Sequence, residues 1–310
     1  MFITATREPS FTQACGMRGV GKTYTTLHKV IIPYIKGDPI KGIKPRKCIL
    51  IDPNNEFTQF RAIDVTTKNI KLFNIQTDIE ARRVSVYKAG GIVKSLDELF
   101  TEVLIILENF RGGLLLIEDI TLLMGDNADS EFIGRLNTIR HRNCEVIIHF
   151  QTVTKVNHPK IGAVTNIIRF HHVSDVVTEQ RFRDKTEIMK IAEAIVNNRF
   201  SEGQKREKAY KIAHSDWNKN SIHKAMLDKI YNQFQRFYVY VHYDDIKIRG
   251  GFNEDEFRFA CYSYINRNQK QVLKPALESI DRAGKKLYAT PEIAIQAVEQ
   301  RLVDNYYGNI

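Results

Sequence analysis

Short apolar runs alternate with helix-length segments over the first 170 residues. The runs are four to six residues long, which is typical of strands, and contain few polar positions: Phe11–Cys15, Lys47–Ile51, Leu114–Ile117, Glu145–Phe150 and Ile167–Phe170. Runs that are apolar throughout, rather than alternating with polar residues, are typical of strands buried on both faces. Helices between such strands form crossover connections. The pattern therefore predicts an α/β fold with a mainly parallel central sheet flanked by helices.

Three helices are predicted in the same region. Thr23–Ile35 follows a glycine-rich turn and ends near Gly37. Leu96–Asn109 has its apolar residues at helical spacing and ends before Gly112. The third predicted helix, Glu131–Arg140, separates two of the apolar runs. Strands and helices thus follow one another in the order that a parallel sheet requires.

The pattern changes after about residue 181, where helices predominate. Ser201–Asn220 is polar and charged, which predicts an exposed loop or insertion. Aromatic and β-branched residues in Phe237–Ile248, with a turn at Asp244, predict a strand or hairpin. Helices are predicted over Arg181–Phe200, Ile222–Phe234 and most of Glu254–Ile310, including one that starts at Thr290-Pro291-Glu292. The sequence therefore predicts a core domain over residues 1–250 and a C-terminal helical extension over residues 251–310.

The composition is that of a soluble globular protein, with 43% hydrophobic and 26% charged residues in 310. The 46 Lys and Arg exceed the 36 Asp and Glu, so the formal net charge is +10. Residues 181–310 contain 23 of the basic and 17 of the acidic residues, so the excess is spread along the chain. Two interpretations stay open: a polyanionic partner, or a basic surface that only meets solvent.

The cysteines and the apolar segments bear on location. Cys15, Cys48, Cys144 and Cys261 lie far apart and have no zinc-ligand spacing, which favours a reducing compartment. Residues 1–10 lack the apolar core of a signal peptide. The most hydrophobic stretch, residues 99–124, is interrupted by acidic and basic residues. We therefore expect a cytoplasmic protein without a membrane anchor.

The strongest chemical motif is a phosphate-binding loop of the form GxxxxGK[ST], between a predicted strand and a predicted helix. Its residues are Gly16, Met17, Arg18, Gly19, Val20, Gly21, Lys22 and Thr23, and Tyr24 follows them. The glycines allow the backbone N–H groups to point at phosphate, and Lys22 supplies positive charge. The Thr23 hydroxyl is a ligand for Mg²⁺. These nine residues are the predicted nucleotide-binding set, with ATP and Mg²⁺ as cofactors.

Two carboxylates, Glu118 and Asp119, follow the apolar run Leu114–Ile117. Ligands bind at the carboxyl ends of strands in open α/β sheets, where one carboxylate can hold Mg²⁺ and a second can polarise the attacking water. The usual order in such enzymes is Asp then Glu, and here it is reversed. Both residues are therefore candidates for both roles. The alternative is a pair of solvated carboxylates at a strand end.

Two further residues follow predicted strands. Gln151 comes directly after Glu145–Phe150, where its amide can orient the nucleophilic water and sense the γ-phosphate. Glu56 belongs to the segment Asp52-Pro53-Asn54-Asn55-Glu56-Phe57, which follows Lys47–Ile51. A surface amide and a turn carboxylate are the competing interpretations.

The combination of these motifs over residues 11–180 resembles the FtsK–HerA superfamily of DNA-pumping ATPases. The resemblance implies a RecA-like P-loop NTPase fold. It also implies that Glu56 lies near the nucleotide and the attacking water. An arginine in the region of Arg140-His141-Arg142 is expected to reach the nucleotide of a neighbouring subunit; Arg140 is the first candidate and Arg142 the second. Arg181 and Arg183 are weaker candidates.

Within that superfamily, the chain looks like the genome-packaging ATPases of viruses and phages. This resemblance implies a homo-oligomeric ring, a hexamer, that moves double- or single-stranded DNA, with capsid or portal-vertex proteins as further partners. The location would be the host cytoplasm or the virion vertex. Two alternatives stay open: a conjugation, segregation or repair pump of the same superfamily, and a nucleotide-dependent switch or assembly protein that does not move DNA.

Overall fold

The computed structural model describes residues 9–88, 90–120, 130–156, 159–162, 164–281 and 284–308. Most of the segment examined for a signal peptide, residues 1–10, therefore lies outside the described residues. Contacts between Cα atoms divide the chain into two compact units, Met1–Ile167 and Ile168–Ile310. Each unit is described by itself.

The first unit is built on six parallel strands, in the order β3-β4-β2-β5-β6-β1. The strands are β1 (Phe11–Cys15), β2 (Cys48–Ile51), β3 (Ala62–Ile63), β4 (Ala81–Val84), β5 (Leu114–Ile117) and β6 (Glu145–Phe150). Every residue of β1, β2 and β5 is buried. This burial explains their continuous apolar sequence and confirms the predicted parallel sheet.

Helices connect these strands. They are α1 (Lys22–Thr26), α2 (Ile32–Lys36), α3 (Thr67–Ile75), α4 (Leu96–Asn109), α5 (Ser130–Thr138) and α6 (Pro159–Gly162). A π-helical turn, Leu27–Ile31, joins α1 to α2, so the helical path after β1 is continuous to Lys36. Gly37 then ends it with a φ of 68°, a conformation that glycine adopts without a steric cost. The α/β fold class is therefore confirmed in this unit.

The bounds of α4 show how local sequence sets an element. Ser95 accepts a hydrogen bond from the backbone N–H of Glu98, and Glu98 accepts one in return from the backbone of Ser95. This capping box satisfies donors that the first helical turn leaves free. Leu99, Val103 and Ile106 are buried on one side, as their spacing predicts.

The second unit contains a β-hairpin and long helices. Its strands are β7 (Ile167–His171), which begins at the boundary, and the antiparallel pair β8 (Tyr238–His242) and β9 (Lys247–Gly250). Its helices are α7 (Glu179–Phe182), α8 (Thr186–Ala213), α9 (Ser221–Ile230), α10 (Glu254–Arg267), α11 (Gln269–Glu278) and α12 (Pro291–Tyr306). Thr290 caps α12 by accepting from the backbone N–H of Ile293, which confirms the predicted helix start.

The predicted loop at residues 201–220 is wrong over its first part, because α8 continues to Ala213. Two ion pairs spaced four residues apart, Arg206–Glu202 and Lys211–Glu207, support this polar helical segment. Gly203 is buried, and a Cβ at that position would lie 2.5 Å from the Cβ of Phe234. The segment therefore has a packed side that its polar composition conceals.

The contact-based division also differs from the predicted boundary at residue 250. Helix α10 packs against both α8 and α12. Phe257, Ala260 and Cys261 of α10 are completely buried. The C-terminal helices thus share a core with α8, which explains why the second unit already begins at Ile168.

Candidate active site

The loop between β1 and α1 has the backbone conformation that its glycines predict. Gly19 and Gly21 have φ angles of 86° and 83°, in the left-handed region that side chains with a Cβ rarely adopt. The Lys22 ammonium donates hydrogen bonds to the carbonyl oxygens of Gly16 and Met17, the latter at 3.0 Å. Burial lowers the pKa of Lys22, an effect that the nearby Glu118 carboxylate opposes. The Lys22 side chain thus bonds to the phosphate-binding loop itself, and it is predicted to contact the phosphates that this loop binds.

Three oxygen-bearing side chains meet at Thr23, the residue that follows Lys22. The Thr23 hydroxyl oxygen lies 3.0 Å from Glu56 Oε2 and 3.2 Å from Glu118 Oε1. Oxygen donors of this kind fit Mg²⁺, which is usually held by one or two carboxylates together with substrate phosphates. Within the described ranges, no group of three or more His, Cys, Asp or Glu side chains is arranged to hold a metal ion. The donor set therefore fits a magnesium ion whose remaining ligands come from a nucleotide and water.

The pKa of Glu118 is lowered in spite of its burial. Its side chain is 7% exposed, and burial alone would raise its pKa. Electrostatic attraction and a hydrogen bond from His149, together with the Lys22 charge, outweigh that effect and lower the pKa. The His149 Nδ1 atom lies 2.8 Å from Glu118 Oε1. The lowered pKa favours the carboxylate form, which is the form that binds a metal ion.

Asp119 points to a different partner. Its Oδ2 atom accepts a hydrogen bond of 2.5 Å from Gln151 Nε2. The backbone of Asp119 has a φ of 44°, which is uncommon for a residue other than glycine. Adjacent residues on one strand end thus have separate environments, because Glu118 faces Thr23 and Asp119 faces Gln151.

The turn after β2 determines where Glu56 lies. The Asp52 Oδ2 atom accepts a 2.7 Å hydrogen bond from the backbone N–H of Phe57. Asn55 has a φ of 54°, a conformation that asparagine tolerates better than most residues. Burial raises the pKa of Asp52, although its backbone hydrogen bonds oppose this. Asp52 therefore shapes the turn that brings Glu56 to Thr23.

Arg140 is not brought together with the other predicted residues. It lies in a 3₁₀ turn, Ile139–Arg142, between α5 and the start of β6. The phosphate-binding loop follows the carboxyl end of β1, which is parallel to β6, so Arg140 lies at the opposite end of the strands. Its Nη1 atom is 3.5 Å from the carbonyl oxygen of Val164. Arg140 therefore does not contact the nucleotide site of its own chain.

The other arginine candidates are also accounted for. Arg142 donates to the carbonyl oxygen of Leu107, and burial lowers its pKa, so it has a structural partner. Arg181 and Arg183 belong to the second unit. Tyr24, the last residue of the predicted nucleotide-binding set, is 47% exposed, and its ring lies 4.4 Å from that of His28.

His149 is a site residue that the sequence motifs did not reveal. It is buried in β6, where its ring contacts Glu118 on one side and the Thr26 hydroxyl on the other. One signal was available: His149 is the only ionisable residue between the first residue of that apolar strand and Gln151. Which acid it would meet depends on the pairing of β6 with β5, which the sequence alone does not specify.

Comparisons with known proteins find similarity to solved structures. No protein-family model and no curated protein matches it. It is similar to the genome packaging NTPase B204 from Sulfolobus turreted icosahedral virus 2 in complex with ATP-gammaS, with 12% identity over 79% of this chain and 98% of that chain and a TM-score of 0.45. The same protein in complex with AMP gives 12% identity, the same shares and a TM-score of 0.46.

A second similarity is to the N-terminal domain of zonular occludens toxin from Neisseria meningitidis. It has 13% identity, 54% of this chain and 78% of that chain covered, and a TM-score of 0.31. Among the described residues, no helix is both long and apolar enough to cross a membrane.

Proposed function

We propose that this chain is a magnesium-dependent ATPase whose active site lies at the carboxyl ends of β1, β2, β5 and β6. The observation that carries the proposal is the convergence of Thr23, Glu56 and Glu118 beside Lys22, with the Asp119–Gln151 pair next to it. The glycine-rich loop orients the triphosphate. Lys22 breaks its hydrogen bonds to the Gly16 and Met17 carbonyl oxygens and contacts the triphosphate instead. When bound, Mg²⁺ supplies positive charge to the β- and γ-phosphate oxygens.

The two acids then have different roles. Glu118 belongs with Thr23 in the magnesium shell, because the two side chains lie 3.2 Å apart and the pKa of Glu118 is lowered. Asp119 accepts the proton of the attacking water, and Gln151, hydrogen-bonded to it at 2.5 Å, orients that water. Glu56 is the second carboxylate next to Thr23. The proposal therefore gives the metal role to Glu118 and the base role to Asp119.

Arg140 would complete the site of a neighbouring subunit. Its position at the amino ends of the strands prevents it from acting on its own nucleotide, so a catalytic role requires a second copy of the chain. An arginine supplied in this way stabilises the charge on the transferring phosphate. We propose a homo-oligomeric ring on this basis, with the hexamer that the family resemblance implies.

We propose that the ATPase uses hydrolysis to move DNA. Helices α8 and α9 support this proposal. Five exposed lysines of this pair and its connection have no ion-pair partner within the described ranges: Lys205, Lys208, Lys219, Lys224 and Lys229. Lysines that are free of carboxylate partners can neutralise phosphates and release counterions. Together with the motif resemblance, these lysines favour translocation of DNA, and packaging into a capsid is the specific form we propose. A nucleotide-dependent switch that does not move DNA is the alternative.

ATP hydrolysis measured with and without duplex or single-stranded DNA tests these statements together. We expect Mg²⁺-dependent hydrolysis that DNA stimulates and that rising salt weakens. Changing the five lysines to Gln should remove the stimulation and leave basal hydrolysis unchanged. A matched variant with five exposed lysines of the first unit changed should retain it: Lys36, Lys41, Lys44, Lys68 and Lys71. If saturating DNA leaves the wild-type rate unchanged, the motor proposal is wrong and the switch is favoured. If no ATP is hydrolysed at all, the ATPase proposal is wrong too.

A further inference from the structure

His149 lies between two parts of the proposed active site. It is 1% exposed and is the second-last residue of the buried strand β6. Its Nδ1 atom lies 2.8 Å from Glu118 Oε1, and its Nε2 atom lies 2.8 Å from the Thr26 hydroxyl oxygen. The 2.8 Å distance between Nδ1 and the Glu118 carboxylate requires the tautomer with the proton on Nδ1, because a carboxylate oxygen accepts and does not donate. The ring thus connects the carboxylate at the end of β5 to the helix that follows the phosphate-binding loop.

The strand register explains why one ring can make both contacts. Ile117 of β5 is paired with Ile148 of β6, so Glu118 and His149 follow directly from paired positions. Thr26 lies three residues after Thr23 in the same helix, which places the two threonines close together on the helix surface. Glu118 therefore contacts Thr23 directly and Thr26 through His149.

We propose that His149 is a positioning residue that fixes the Glu118 carboxylate toward Thr23. The inference rests on the proposed magnesium-dependent ATPase function. Gln151, two residues further along the chain, contacts Asp119. The end of β6 thus holds both acids, Glu118 through His149 and Asp119 through Gln151, and keeps them pointing in different directions. Hydrogen bonds to a metal-ligating carboxylate affect metal affinity, since they determine the orientation and charge of the ligand.

The test compares variants that remove one contact or both. His149→Ala removes both, whereas His149→Asn has an amide nitrogen near the position of Nδ1 and retains a donor for Glu118. Thr26→Val removes only the contact on the other side of the ring. His171→Asn, at a completely buried histidine of the second unit, is the control for the loss of a buried imidazole.

The primary measurement is the affinity of the protein for Mn²⁺ in the presence of ATPγS, obtained by electron paramagnetic resonance. We expect His149→Ala to weaken it about 10- to 100-fold, His149→Asn to recover most of the loss, and Thr26→Val to have a smaller effect. Binding of ATPγS without metal should stay within about twofold of the wild type, and His171→Asn should leave the metal affinity unchanged. Since His149 acts through Glu118, adding His149→Ala to Glu118→Gln should cause little further loss.

Several results would overturn the proposal. A folded His149→Ala protein that retains wild-type Mn²⁺ affinity contradicts it, even if its melting temperature falls. If His149→Ala does not fold, His149→Asn and His149→Gln decide, because an amide nitrogen near the position of Nδ1 can reach Glu118 and one near the position of Nε2 reaches Thr26 instead. Equal Mn²⁺ affinities of these two folded variants contradict a role through Glu118. Wild-type binding of Mn²⁺ and ATPγS together with unaffected variants refutes only the positioning role. A wild-type protein that binds neither refutes the proposed function and this inference together.

Discussion

The two ends of the parallel strands in the first unit use charge in opposite ways. At the carboxyl ends, the carboxylates contact other side chains: Glu56 and Glu118 contact Thr23, Glu118 also contacts His149, and Asp119 contacts Gln151. At the amino ends, cations gather and donate to backbone carbonyl oxygens. Lys47 donates to the carbonyls of residues 73, 74 and 76, at the end of α3, and Arg46 donates to those of residues 112 and 143.

This difference separates structural from chemical roles. A cation at the end of a helix satisfies carbonyl groups that have no partner in the helix, so its bonds are already complete. At the carboxyl ends, several acceptor oxygens converge on Thr23, an arrangement that a bound cation would complete. Charged residues at the amino ends should thus affect mainly stability, and those at the carboxyl ends mainly turnover. Arg140 is the proposed exception, since it lies at the amino ends and is assigned to the neighbour's reaction.

Lys22→Ala should have the largest effect. Its positive charge at the triphosphate cannot be replaced, so we expect both nucleotide binding and hydrolysis to fall below detection. Fluorescent-nucleotide binding and phosphate release measure these effects, and circular dichroism checks the fold. Lys29→Ala, at an exposed lysine of the same helical path, is the control. Full activity of Lys22→Ala would mean that the loop is not the nucleotide site.

Arg140→Ala tests the exception. We expect ATP binding to stay intact while turnover falls about 10³-fold or more, as is typical for the loss of an arginine finger. Mixing this variant with Lys22→Ala should restore part of the activity, because one subunit then supplies the arginine and another the loop. Absence of rescue at every mixing ratio would argue against action in a neighbouring subunit. Arg140 would then belong with the structural cations at the amino ends.

Asp119→Asn and Glu118→Gln distinguish the roles of the adjacent acids. Asparagine at 119 cannot accept a proton, so we expect kcat to fall about 10²-fold or more with the affinity for Mg²⁺ retained. Glutamine at 118 should instead raise the Mg²⁺ concentration required for half-maximal activity. A magnesium titration of both variants at saturating ATP gives the comparison. Exchanged results would reverse the proposed assignment.

Lys47→Met should affect stability and not turnover. Lys47 is 6% exposed, and its removal leaves carbonyl oxygens at the end of α3 without their donor. We expect the free energy of unfolding to fall by about 1–3 kcal/mol, measured by urea denaturation, with kcat per folded molecule unchanged. Lys44→Met, at an exposed lysine three residues earlier, should be close to neutral. A loss of turnover without a loss of stability would contradict the expectation that charged residues at the amino ends affect mainly stability.

Asp52→Asn should have the smallest effect, visible in its pH dependence. Burial raises the pKa of Asp52 in the folded protein above its unfolded value. The folded state then binds more protons, so this group stabilises the fold at pH values below the unfolded pKa, and that stabilisation is lost as the pH rises through the folded pKa. Asparagine can still accept from Phe57 and does not titrate. Relative to the wild type, the variant should therefore gain stability as the pH rises above about 4, the ordinary pKa of an aspartate, as measured by thermal melts. An opposite trend would contradict the raised pKa.

Much of the first unit was predictable because its signals are local. Phe11–Cys15, Leu96–Asn109, Leu114–Ile117 and Glu145–Phe150 have the same bounds in the structure as in the prediction. An apolar run bounded by turn residues is sufficient for a strand buried on both faces. Thr23 and the acids that contact it follow such runs, so the location of the candidate site could also be predicted.

The features that could not be predicted depend on contacts between residues far apart in the sequence. The strands β3 and β4 were missed because one has two residues and the other contains two arginines; their pairing with each other and with β2, rather than an apolar run, defines them. The helical part of residues 201–220 was missed because Gly203 and Arg206, which contact Phe234, do not form an apolar pattern. For the same reason, motifs indicated Glu118 and Asp119 but not His149, whose contacts arise from strand pairing.

The positive φ of Asp119 has a consequence for protein engineering. The left-handed region is several-fold enriched in aspartate and asparagine, whose short side chains can bond locally to the backbone, and glutamate lacks this advantage. The Glu-then-Asp order of this chain is therefore suited to its own turn. Exchanging the two residues to match the commoner order would preserve charge and composition. It would, however, place glutamate at position 119, where the backbone has a positive φ. A designer who wishes to alter this pair has to redesign the turn first.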